Sequence, residues 1–232
     1  MAGFACNVQE EKKTNYTFIK EDLSYAWGFT IESGKNIKLI TVFNPWQGAN
    51  SIKYKYALID RDAGPVNLEK DWIVIKTPVE RVVCLSTTHI AFLDVINETN
   101  TIVGVSGINY VNNPELQKRI ANQEIPDVGY DNNLNYELIA SLKPDLVITY
   151  GVGSQVAGYN QKLNDLGIKT IINAEYLENH PLGKLEWIKF MAALYHKDQE
   201  AKQYFDKTTI EYNALINLAE NVHEKPRVLF GL

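Results

Sequence analysis

Most of the local signatures that tie a chain to a known chemistry are missing from these 232 residues. There is no Walker loop, no Cys-x-x-Cys pair, no His-Glu-x-x-His and no Gly-x-Ser-x-Gly elbow, so nucleotide hydrolysis, dithiol redox work, zinc proteolysis and serine hydrolysis all lack their usual marks. The pair Gly151-x-Gly153 is not a dinucleotide fingerprint, because the third glycine is absent at its spacing and Gly158 does not supply it. The four histidines, His89, His180, His196 and His223, are scattered without ligand spacing, and no metal site is expected. No Lys/Arg-rich run occurs, and the formal net charge is -5; a nucleic-acid partner would need a basic footprint, and an anionic membrane surface would repel this chain. No apolar stretch approaches the ~20 residues of a membrane-spanning helix.

Cysteine is scarce, with two residues in unlike settings. Cys84 lies in the apolar run Arg81-Val-Val-Cys-Leu85 and reads as a small buried hydrophobe, whereas Cys6 follows Gly3-Phe4-Ala5 near the start; the two are not expected to pair. What is present is an ordinary globular mixture, 45% apolar and 22% charged, with ample material for one large core or two smaller ones.

Two rhythms divide the chain. From Tyr16 to about Thr77 the period is two: Ile37, Leu39, Thr41 and Phe43 alternate with Asn36, Lys38, Ile40 and Val42, and Tyr54 to Ala57 follow. This predicts antiparallel strands with turns at Ser33-Gly34-Lys35-Asn36 and at 60–65. After Pro78, short continuous apolar runs (Val82 to Leu85, Ile102 to Val105, Leu146 to Thr149, Thr170 to Ile172) alternate with helical patterns at Ile90 to Ile96, Pro114 to Ala121, Asn135 to Leu142 and Tyr159 to Leu166. Continuous runs between helices indicate βαβ units and a parallel sheet. Beyond Pro181 helices are expected over Leu182 to Tyr195 and, after a cap at Asp198, over Gln199 to about Val222. Lys225-Pro226 would stop the second, and Arg227 to Leu232 reads as a fresh strand. The expected organisation is a tether over 1–15, a β-rich extension over 16–77, an α/β lobe over 78–183, helices over 184–223, and the first strand of a further lobe over 224–232.

Four segments should converge where the strands end, the usual place for a ligand in an open α/β sheet. Ser86-Thr87-Thr88-His89 opens a helix, so its hydroxyls and N–H groups can cap that helix or hold an anionic group. His89 could ligate a metal or simply be a partly buried polar residue. Asn109 and Tyr110 offer an amide and a stacking ring, Tyr130 and Asp131 sit in similar company, and Tyr150-Gly151 precede a loop whose glycines allow close backbone approach. Trp46, in Asn44-Pro-Trp-Gln-Gly48, either belongs to a sheet packed on the lobe or adds an aromatic wall to the crevice. Pro144 must end the helix before it, and Asp145 can tie the turn.

Several of these pieces resemble the substrate-binding proteins of ABC importers for iron-siderophore, haem and vitamin B12, a class with two α/β lobes joined by one rigid helix. The resemblance rests on Pro78-Val-Glu-Arg-Val-Val-Cys-Leu-Ser-Thr87, Ile102-Val-Gly-Val-Ser106, Pro126-Asp-Val-Gly129, Asn135-Tyr-Glu137 and Lys143-Pro-Asp-Leu-Val-Ile148. It implies a non-enzymatic, monomeric receptor with no resident cofactor, which takes an iron chelate, haem or cobalamin and passes it to an ABC permease with its ATPase. It implies permease docking for Glu137, whose alternative reading is a favourable acid in a first helical turn. It also implies a periplasmic or cell-surface location, with Cys6 as a lipidation site and the membrane touched only through that anchor. Arg81 and Arg119 are the only arginines between Glu80 and Pro226, which weighs against an anionic siderophore. A metal-dependent or transferase-type α/β enzyme using His89, Asp131 and Glu137 is the rival reading, and a surface adhesion module using residues 16–77 is the third.

Overall fold

A computed structural model describes residues 17–130, 133–151, 155–222 and 226–227. Cys6, Asp131 and the expected strand after Arg227 lie outside them.

The continuous apolar runs form the expected parallel strands: β6 (Val82–Cys84), β7 (Ile102–Val105), β8 (Leu146–Thr149) and β9 (Thr170–Ile172), ordered β7-β6-β8-β9. Every residue in them is buried, because both faces are covered. Alternate side chains serve two cores. Val83, Val103 and Val147 pack with Val128, Ile139 and Leu163 on one face, while Val82, Cys84, Leu146 and Ile148 join the main core on the other.

The period-two region forms a second sheet in the order β1 (Ile19–Lys20), β2 (Phe29–Gly34), β3 (Ile37–Phe43), β4 (Lys53–Asp60), β5 (Trp72–Thr77). The β2–β3 turn falls where expected, with Asn36 at φ 59°, a conformation asparagine tolerates. One expectation fails. β4 and β5 pair in parallel, because residues 61–71 cross over the outer face, where Ala63, Val66 and Leu68 cover Ile37, Ala57 and Ile59.

The inner face of this sheet carries Phe29, Ile31, Ile40, Tyr56 and Leu58 into the same core as the parallel strands. Between them lies α6 (Ile188–Ala193), whose Phe190, Met191, Ala192 and Ala193 are buried, as a helix apolar on nearly all sides must be. The single helix expected over 182–195 is two, α5 (Pro181–Glu186) and α6, meeting at the buried Trp187. α7 (Asp198–Glu220) spans over ~30 Å at ~1.5 Å per residue. Asp198 stands in its first turn rather than at the cap, which is Lys197.

Two buried carboxylates fasten the N-terminal sheet to this helical layer. Glu186, 0% exposed, accepts the backbone N–H groups of Ser24 (2.9 Å), Tyr25 (2.7 Å) and Ala26 (2.8 Å) and pairs with Lys189 at 2.7 Å. Glu178 accepts the N–H groups of Trp27 (3.1 Å) and Gly28 (2.9 Å) and the Trp187 indole N–H (3.0 Å). Five consecutive main-chain donors are thereby satisfied by two side chains, which solves the problem of burying an irregular segment.

Candidate functional site: the strand-end crevice

In the order β7-β6-β8-β9, the chain moves outward one way from β6 to β7 and the other way from β8 to β9. The connections diverge between β6 and β8, and an open sheet holds its ligand crevice at that switch point, outside the carboxyl ends. The loops after β6 and β8 therefore border the site.

After β6, Ser86 caps α1 (Thr87–Val95): its backbone is extended, its Oγ accepts the Thr88 N–H at 3.3 Å, and it lies 2.9 Å from the Thr88 Oγ1. The capping role anticipated for Ser86 is what its hydroxyl performs, while Thr87 and Thr88 stay exposed. His89 points the other way. It is 0% exposed, neither ring nitrogen has a hydrogen-bond partner, and burial drives its pKa down to about 3, so it stays neutral. This removes His89 from the ligand-facing residues.

After β7, Gly107 at φ 71° admits the short turn Ile108–Tyr110, leaving Asn109 exposed and Tyr110 73% exposed. Asp127 accepts the N–H groups of Gly107 (3.2 Å), Ile108 (3.1 Å) and Gly129 (2.9 Å), locking this loop to the segment that presents Tyr130. Gly129 is at φ 74°, and a Cβ there would lie 2.3 Å from the Asn133 carbonyl oxygen. Tyr130 and Tyr150 meet, with Leu85, Leu134 and Tyr159, around one recess.

Gly151 departs from its expected use. It is buried, and a Cβ would lie 2.3 Å from Val156 Cβ, so its lack of a side chain serves packing against α4 (Gln155–Asp165) rather than approach to a ligand. Trp46 is likewise withdrawn: it is 7% exposed and packs with Val156 and Ile172, so the β3–β4 loop braces the crevice from behind and adds no aromatic wall.

The loop after β9 obeys the same strand-end rule, and sequence reasoning passed over it. There Glu175 is hydrogen-bonded to Thr88, its Oε2 is buried without a partner, and burial pushes its carboxyl above the ordinary value, against the opposing effects of Thr88 and Lys184. The Tyr176 hydroxyl donates to the Gly151 carbonyl at 2.7 Å. Thr88, Glu175, Tyr176, Gly151 and Tyr150 thus form one connected rim across three loops.

Glu137 is exposed in the first turn of α3 (Tyr136–Ser141), where Asn135 caps by accepting the Leu138 N–H at 2.9 Å. Of the three residues in the rival enzyme reading, Glu137 is thus exposed, His89 is buried and neutral, and Asp131 lies outside the described residues. Among the described residues, no group of three or more His, Cys, Asp or Glu could hold a metal ion. No helix among them is long and apolar enough to cross a membrane.

Residues 82–232, nearly all of the chain beyond the N-terminal sheet, match the family model described as periplasmic binding protein. The chain belongs to that family. Among relatives of this periplasmic binding protein, an uncharacterized lipoprotein of Methanocaldococcus jannaschii is 32% identical over 223 residues, covering 82% of this chain and 52% of its own length. A second lipoprotein of that organism is 29% identical over 186 residues, covering 78% and 47%. The chain spans about half the length of the curated relatives it matches. The fold resembles the molybdate periplasmic binding protein MolA of Haemophilus influenzae at a TM-score of 0.50 and 18% identity, over 62% of this chain and 49% of that one. It also resembles PiuA, the substrate-binding protein of an iron uptake ABC transporter in Streptococcus pneumoniae, at 0.50 and 18%, over 63% and 50%.

Proposed function

We propose that this chain carries one wall of an extracytoplasmic receptor that captures a metal chelate and delivers it to an ABC permease and its ATPase. The observation that carries the reading is the family match over residues 82–232 laid on a switch-point crevice whose rim is aromatic and hydroxylic. Tyr110, Tyr130 and Tyr150 would stack on a flat or aromatic ligand, and Thr87, Thr88 and Asn109 would hydrogen-bond its periphery. Capture by such groups requires no covalent chemistry. An iron chelate such as a ferric siderophore or haem is the primary ligand class, with a corrinoid as the alternative. The iron-uptake name of PiuA supports the first, and the tyrosine-rich rim of this chain suits both. Cys6 is proposed as a lipid attachment point, in keeping with the lipoprotein name of the archaeal relatives.

Titrating the intact protein with ferric chelates, haem and cyanocobalamin, followed by tryptophan fluorescence and calorimetry, is expected to show one-to-one binding and recovery of the ligand unaltered. Chemical turnover of a bound compound, or no binding across the series, would overturn the reading. Glu137→Ala is expected to leave chelate affinity unchanged while weakening permease association in proteoliposomes; unchanged transport would remove Glu137 from the docking surface.

A further inference from the structure

The described residues at the carboxyl ends of the parallel strands, 85–89, 106–113, 129–130, 150–151 and 173–180, contain no lysine and no arginine. Their acids are Glu175 and Glu178. Glu178 is engaged by main-chain and indole donors, so Glu175 is the acid that the described rim presents.

Three of the four arginines sit at the opposite end of the sheet. Arg81, just before β6, donates to the Leu142 carbonyl at 2.7 Å; Arg119 donates to the carbonyls of Thr99 and Ile102 at the start of β7; Arg61 pairs with Asp145, just before β8, at 2.7 Å. The cation whose charge acts on Glu175 is Lys184, and its ammonium is held by the Tyr176 carbonyl at 3.1 Å.

We infer that this wall of the crevice favours neutral or cationic chelates over anionic ones, and that Glu175 sets the discrimination. The inference rests on the receptor reading above and narrows its ligand class. Carboxylate, catecholate and phosphate groups are ordinarily met by guanidinium forks, and none is on this rim. A ligand carrying such a group would instead bring its charge towards a partly buried carboxylate, where water screens poorly and repulsion is strengthened. A ligand offering ammonium, amide or hydroxyl donors would lie favourably beside that carboxylate, whose buried Oε2 has no hydrogen-bond partner to offset its charge.

The test compares three probes on the intact protein by calorimetry: ferrioxamine B, a cationic ferric trihydroxamate; cyanocobalamin, which is neutral; and a trianionic ferric tris-catecholate. The wild type should bind the first or second more tightly than the third. Glu175→Gln should weaken the cationic probe and strengthen the anionic one, each by about tenfold, whereas Glu175→Asp, which keeps the charge, should retain the wild-type order. A purely structural role would move all three affinities in the same direction. Tightest binding of the anionic probe by the wild type, or parallel shifts in Glu175→Gln, overturns the inference and leaves the receptor standing. Failure to bind any probe overturns the receptor reading, and the inference with it.

Discussion

Replacing Glu186 by glutamine is the sharpest test of how the two sheets are held together. The carboxylate is wholly buried and serves four donors, three of them main-chain N–H groups at 2.7 to 2.9 Å and the fourth the Lys189 ammonium. Glutamine keeps the shape but removes the charge, and its NH2 must face donors. Lys189 is then left without its partner. Breaking a buried pair in this way costs ~3–5 kcal/mol, and a single hydrogen bond to a charged group is worth ~1.5–3 kcal/mol. With whole-domain stabilities of ~5–15 kcal/mol, the variant should lose a large share of its margin. Burial alone would raise the Glu186 pKa, but Lys189 and the N–H groups of Ala26, Ser24 and Tyr25 outweigh it, so the net shift is downward. A depressed carboxyl stabilises the fold above the unfolded value of 4.5, and that contribution is lost as pH falls through the folded value. Urea unfolding followed by tryptophan fluorescence should therefore show a deficit of ~3–5 kcal/mol at neutral pH that shrinks steadily below pH 4.5. A deficit under ~1 kcal/mol, or one that does not change with pH, would refute the clamp.

Two further substitutions probe the crevice supports. Gly151→Ala forces a methyl to within 2.3 Å of Val156 Cβ and should destabilise by ~1–3 kcal/mol while shifting Tyr150; a melting temperature equal to wild type would show that α4 yields freely. His89→Leu removes two orphaned ring nitrogens and should raise stability by ~1–3 kcal/mol. Because the folded state holds His89 neutral down to about 3 while the unfolded chain takes up a proton below 6.5, acidification below 6.5 costs the wild type stability. The variant's melting temperature should fall less between pH 7 and 5, and an equal or steeper fall would refute this account.

The parallel half was legible because its strands are buried on both faces and so appear as unbroken apolar runs such as Leu146 to Thr149. The strand-end loops followed from the strands themselves, whereas the order β7-β6-β8-β9 that sets the switch point came only from the structure. The parallel pairing of β4 with β5 was not legible, since a period-two pattern gives the exposed face but not the direction, and the deciding residues, Val66 and Leu68, sit in a segment that reads as a loop. The roles of Glu175, Glu178 and Glu186 were also hidden. An acid in a loop or short helix carries no local sign of whether it will meet solvent, a ligand or a row of N–H groups. His89 misled for the mirror reason: its place at a helix start suggested access, while its orientation buries it against Tyr150.

The grip of Glu178 and Glu186 on residues 24–28 falls on the peptide backbone, and this divides the burden of sequence change unevenly. The exposed Ser24 and Trp27 can be exchanged for almost any residue that keeps its amide hydrogen, so proline alone is barred there by the clamp itself, whereas Tyr25 and Ala26 also pack against the core, Tyr25 stacking on the His180 ring at 5.0 Å. Gly28 has less freedom, because a Cβ there would lie 2.9 Å from the Trp187 ring. The two glutamates have none, since no other side chain delivers a carboxylate at that reach. Related chains should therefore drift in the strap while holding both acids fixed, and the N-terminal sheet can diversify its surface without detaching from the lobe it braces.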